Sequence, residues 1–180
     1  MSDTIMAIIG IILATVLMFI FPLMEMANKS DEVSQTVVQT VVANFVNKTA
    51  TQGKITQDNY NELITKLSAT GNSYDIQIEA QILDENSTRK TISLYKNLLG
   101  EAKYYSVYTN TILDGIKNSP NGEYLLKKDD YIIVSVKNTN QTIGTQFKNF
   151  IYKLINKDTY TIGTSSAALV LNTGSDKIIY

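Results

Sequence analysis

The chain has no cysteine, no histidine and no tryptophan, and Arg89 is its single arginine. Each absence removes a class of chemistry. Thiol catalysis, serine–histidine triads and ordinary zinc sites all need residues that are not there. A chain without cysteine is compatible with an extracytoplasmic surface. Sixteen basic residues face 17 acidic ones, for a net charge of −1, so the excess of positive charge that marks a nucleic-acid binder is missing. There is no glycine-rich phosphate loop, and no cofactor is implied. The most local absence is the most informative: no charged residue stands between Asp3 and Glu25.

What fills that gap is the run Ile5–Met24, IMAIIGIILATVLMFIFPLM. As a helix, ~20 residues at about 1.5 Å each span ~30 Å, the thickness of a bilayer core. A cleaved signal peptide has a basic start, a shorter apolar core and a small-x-small cleavage site. Here Met-Ser-Asp-Thr precedes the run, and Met24-Glu25-Met26 follows it. The expectation is an uncleaved single-pass anchor over residues 1–26. Lysine and arginine near the span ends say little about orientation: Lys29 stands among Glu25, Asp31 and Glu32. The short start, left inside, puts the large domain outside. Beyond the anchor about 155 residues remain, enough for one domain with a proper core. We place an extracytoplasmic α+β head at 27–174 and a tail at 175–180.

Within the anchor, Gly10 and Ala14 form a small-xxx-small pair, a pattern that lets membrane helices approach closely. Pro22 removes a backbone hydrogen bond and predicts a kink near the outer end. Past the anchor, Val33, Val37, Val38, Val41, Val42, Phe45 and Val46 recur at helical spacing with Ser34, Gln35 and Gln39 between them. That spacing predicts an amphipathic helix with one apolar stripe. Valine forms helices only modestly, so the stripe needs something to pack on. Either the chain's own sheet or a neighbouring protomer meets the need, and both readings stand.

Thr51-Gln-Gly-Lys54 breaks the helix, and a second begins after Thr56, a good N-cap, with Ile55 and Tyr60 at staple spacing. Gly71 ends it. Tyr74 to Ile82 alternates apolar and polar as a one-sided strand. Leu94–Gly100 is ambiguous, and Tyr104 to Ile116 reads as a short helix. Tyr131–Val136 is apolar on both sides, which places it inside the sheet. A helix follows with Ile143, Phe147, Phe150, Ile151 and Leu154 on one side, then strand residues at Tyr160, Ile162 and Ala167–Leu171. The pairs Asp129-Asp130 and Asp84-Glu85 stand at strand ends and read as solvated turns rather than metal ligands. Helices then lie on one face of a small antiparallel sheet.

Phe21-Pro-Leu-Met-Glu25 has Phe first and Glu fifth, as at the start of type IV pilins, but the surroundings are reversed. Ile20 precedes it and polar Asn28-Lys-Ser-Asp-Glu32 follows. The order of the whole chain, a membrane helix near the start, an amphipathic continuation and a small α/β head, resembles the pilin-like proteins of the tight-adherence (TadE-like) class. Gly53-Lys-Ile-Thr56, Asn59-Tyr60, Gly71-Asn-Ser-Tyr-Asp75, Leu125–Val136 and Asn138-Thr-Asn-Gln-Thr142 also resemble anchored proteins of pilus or conjugation loci in low-GC Gram-positive bacteria. The resemblance implies a pilin-like fold and a structural or assembly role in a surface filament. It implies the bilayer and other pilin-like subunits, or further copies of this chain, as partners. The alternative is a single-pass binding or sensory module.

Overall fold

The computed structural model describes residues 2–84, 104–154 and 161–174. The expectations for Leu94–Gly100, Glu85, Tyr160 and the tail 175–180 lie outside these residues, as do those for the side chains of Ile151 and Leu154. The first element is one helix, α1, Ser2–Gln52. Its 51 residues, at about 1.5 Å each, make ~77 Å. Helical geometry continues through Pro22, although that residue has no N–H to give the preceding turn. Every side chain from Asp3 to Leu23 is exposed. This half of α1 is long and apolar enough to cross a membrane, and none of its apolar window is buried in the protein.

The other half of α1 is the spine of the head. Gly53, at φ +68°, ends the helix, and its N–H donates to the Thr49 carbonyl at 2.8 Å. A short strand, β1 (Lys54–Thr56), leads into α2 (Gln57–Ser68). Thr56 caps α2 as its sequence position predicts: Oγ1 accepts from the Asn59 N–H at 3.1 Å. Ile55 is fully buried, and Tyr60 packs partly against the same core. Gly71, at φ +78°, closes the turn after α2.

The remaining elements are β2 (Tyr74–Leu83), β3 (Tyr104–Tyr108), α3 (Thr109–Asn118), β4 (Glu123–Leu125), β5 (Tyr131–Asn138), α4 (Ile143–Leu154) and β6 (Gly163–Leu169). Four strands form one antiparallel sheet in the order β3-β2-β5-β6, and β1 pairs with β4 in a second, two-stranded sheet. β5 has a partner on each side, as its two apolar faces predict. The inner face, with Ile78, Ala80, Ile132, Val134 and Val136, closes on Val38, Val42, Phe45, Val46 and Ala50 of α1. Leu63 and Leu67 of α2 and Ile112 and Ile116 of α3 complete this core.

One element differs from its sequence reading. Tyr104–Tyr108 is a strand, and the helix starts only at Thr109. Tyr105, Tyr108, Ile112 and Ile116 do fit a helical period. However, YYSVY is rich in aromatic and β-branched residues, and the second half of β2 offers it an unpaired edge. The switch is fixed by Thr109, whose Oγ1 accepts from the Ile78 N–H at 2.7 Å and extends the ladder by one step. The three-residue strands β1 and β4 are too short to leave a period in the sequence.

Candidate functional site

With no catalytic constellation in the sequence, the site of interest is α1, and in particular the point where its lipid-length half becomes the spine of the head. Gly10 lies open, with nothing within 4 Å of where a β-carbon would stand, and Ala14 and Pro22 are exposed. The surface through Gly10 and Ala14 is therefore free for a neighbouring helix or for lipid.

The valine stripe divides. Val38, Val42 and Phe45 are buried in the head's own core, and Val41 is half-buried at its margin. Val33 is 64% exposed and Val37 36%. The cause is helical geometry. The row 34–38–42 faces the sheet, and the row 33–37–41 lies one residue to the side and turns under the head only at its upper end. Two shallow grooves flank the exposed pair, of about 540 Å³ and 420 Å³. Lys29 and Ser30 border the first beside Ala69 and Thr70, and Glu32 and Thr36 border the second. Both readings of the stripe thus apply, each to different residues.

Polar residues hold the lower part of α1 to the head, and a search for apolar letters passes over them. Asp31 is 2% exposed. Its Oδ1 accepts from the Thr142 hydroxyl at 2.8 Å and its Oδ2 from the Thr145 hydroxyl at 3.3 Å. Thr142 Oγ1 in turn accepts from the Thr145 N–H at 3.0 Å, capping α4. A carboxylate at this point also complements the positive end of the α4 dipole. One turn higher, Gln35 exchanges two hydrogen bonds with Gly163: Nε2 donates to the carbonyl at 2.8 Å, and Oε1 accepts from the N–H at 3.0 Å. The available signal was spacing, since Asp31, Ser34 and Gln35 prolong the buried row of Val38 and Val42 by one and two turns.

Among the described residues, titration shifts do not gather in one place. Glu62 is held below the usual carboxylate range by Lys66 and Lys48, its partners at 2.6 Å and 3.1 Å. Glu79 is lowered by hydrogen bonds from Ser106 and Gln81. Burial raises Tyr60 and Tyr124, and the latter is raised further by Tyr105 and Asp130. Each cause is local, and the groups are spread over α2, β2 and β4. Asp130 is not the solvated turn residue its place suggests. It is 1% exposed, and its carboxylate accepts from the N–H groups of Leu83 at 2.9 Å and Lys127 at 2.8 Å. Asp129 beside it adopts φ +73°. Among the described residues no group of three or more acidic side chains is placed to hold a metal ion.

A cleft of about 520 Å³ opens between α4 and the lower ends of β5 and β6. Lys137, Asn138, Asn140, Gln146, Phe150 and Lys153 are among its walls, and no carboxylate is among its described lining residues. Two ammonium groups and several amides make it a polar cavity suited to acceptor-rich ligands.

The architecture is thus an α+β head built on the upper half of a long apolar N-terminal helix. Comparison of the chain with protein-family models, with curated proteins and with solved structures found no match.

Proposed function

We propose that the chain is a membrane-anchored, pilin-like component of a surface filament or conjugation apparatus, of the tight-adherence (TadE-like) kind, with its head outside the cytoplasm. Its role is structural, in the fibre or in its assembly, and not catalytic. The observation that carries the reading is that one unbroken helix carries both the exposed apolar half and, above it, exposed Val33 and Val37. Lys29 and Ser30 separate the two apolar stretches, and the head takes its core from Val38, Val42, Phe45 and Val46, with only Val41 of the exposed row at its margin. An anchor alone would need no apolar residues above the bilayer. A subunit that joins its neighbours through α1 needs them there. Other copies of this chain, or other pilin-like subunits, would cover Val33 and Val37, with Gly10 and Ala14 as the close-approach points lower down. Electron microscopy of material sheared from the cell surface, with mass spectrometry of the fibres, tests this. The chain is expected in the fibre fraction. A full-length chain found only in membranes, with no fibre containing it, would sink the proposal.

The second reading, an anchored binding or sensory module, draws on the polar cleft under the sheet. It predicts a soluble or cell-wall ligand carrying several hydrogen-bond acceptors, and it leaves the Val33–Val37 row uncovered.

A further inference from the structure

α4 is an amphipathic helix that leaves two of its described apolar side chains exposed. Ile143 is 81% exposed and Phe150 60%, with half-buried Phe147 between them on the same side. The sequence predicts Ile143, Phe147, Phe150, Ile151 and Leu154 on one side of this helix, and burial in the core is the usual fate of such a face. Here two other sides of α4 make the contacts. Gly144 and Thr145 meet α1: a β-carbon on Gly144 would lie 2.6 Å from Asp31 Oδ2 and 2.9 Å from the Ala27 carbonyl oxygen. Thr145, Gln146, Asn149 and Lys153 line the cleft below the sheet, and Phe150 stands at its edge.

Position along α1 tells what lies on the third side. Ala27 is three residues past Met24, or ~4.5 Å beyond the apolar run at the helical rise. The headgroup layer on each side of the hydrocarbon is roughly 5–7 Å thick. The start of α4, in contact with Ala27, therefore falls inside that layer. The lower edge of the sheet is fixed at Gln35 through its bonds to Gly163, and Gln35 stands ~16 Å past Met24 by the same rise. The interval between the two levels is ~12 Å, the diameter of one helix with its side chains. α4 thus lies in the layer between sheet and membrane, with Ile143 exposed at that level and Phe150 exposed at the mouth of the cleft.

We propose that α4 is an interfacial helix. Its Ile143–Phe150 face rests in the headgroup region of the bilayer that α1 crosses, so the head is seated on the membrane and not merely tethered to it. The occupant of this face is lipid. Apolar side chains at the boundary of headgroup and acyl chain are what such helices insert. Lys29 on α1, exposed between Ala27 and Asp31, adds a cation at the same level, where anionic headgroups would favour it. This inference needs the membrane span but not the filament reading.

The absence of native cysteine makes the test clean. Single variants Ile143→Cys and Phe150→Cys would carry an environment-sensitive fluorophore, with the full chain reconstituted in vesicles that contain lipids spin-labelled near the carbonyl end of the acyl chain or, in a parallel set that reads the span at Leu13, near its methyl end. Leu13→Cys reports the span, and Ser165→Cys, on the exposed outer side of β6, reports solvent. The expected result is a blue shift and quenching at Ile143 and Phe150, both absent at Ser165. Probes at Ile143 and Phe150 that behave like Ser165 while Leu13 is quenched overturn the inference and leave the anchor standing. A blue shift without quenching, growing with protein-to-lipid ratio, overturns it in favour of a second protein copy. Loss of quenching at Leu13 as well overturns both the inference and the membrane anchor.

Discussion

Asp31 Oδ2 occupies the space that a β-carbon on Gly144 would need, at 2.6 Å from that position. Glycine in a helix costs roughly 1 kcal/mol against alanine, so Gly144→Ala would stabilise an isolated α4. In this protein it should do the reverse, because the methyl group would push α4 off the Asp31 carboxylate and the Ala27 backbone. Asp31→Ala should cost about 2–3 kcal/mol by leaving the Thr142 and Thr145 hydroxyls without their charged acceptor. Because both changes break one contact, the double variant should lose clearly less than the sum of the two. Thermal melting of the detergent-solubilised chain reads all three.

Gly53 is required for two separable reasons. Its φ of +68° disfavours any side chain, and a β-carbon there would collide with the backbone of Asn172 and Gly174. Gly122 has a similar φ, +64°, but open space around it. Gly122→Ala should therefore cost only the backbone term, about 1–2 kcal/mol. Gly53→Ala should cost roughly 3 kcal/mol or more, since the last turn of α1 would also lose its seat against 171–174. Equal melting temperatures for the two variants would contradict the collision.

Glu62 ties α2 to α1 through Lys48 while also pairing with Lys66 on its own helix. Its carboxyl is lowered, first by Lys66 and then by Lys48. A lowered folded-state value means the contribution is fully present above the ordinary glutamate value of about 4.3. It fades as pH falls through the lower folded value, because the unfolded chain then takes up the proton more readily. In Glu62→Gln this part of the acid dependence should vanish, and the remaining profile should flatten between those two values. The pair is exposed, so added salt should weaken it.

How far the sequence reaches depends on the range of the interaction. A charge-free run, a strand with strict alternation at Tyr74–Ile82 and a Thr56 cap are local, and all three are legible. β5 reads as an inner strand from its own residues, because burial on both sides leaves apolar side chains on both sides. Tyr104–Tyr108 fails the same approach, since its helical spacing is real and only the free edge of β2 decides against it. Long-range polar contacts leave at most a spacing. Gln35 and Gly163 are 128 residues apart, and Asp31 and Thr142 are 111 apart. Helical spacing puts Asp31 and Gln35 on the row of Val38 and Val42, but nothing near them in the chain names their partners. The α4 face is legible as apolar, but a period shows that a face wants cover and not what covers it.

The central claim is that the exposed row of α1 above the membrane is a contact between subunits. Its most direct measurement places a photoreactive amino acid at Val33 and at Val37 in cells that produce the full chain, followed by mass spectrometry of the adducts. The account predicts adducts to a second copy of this chain or to another pilin-like subunit at both positions. Because Val42 is fully buried in the head, a probe there should react only within its own chain. Membrane-inserted chains whose Val33 and Val37 probes capture lipid alone, or nothing, would contradict the claim.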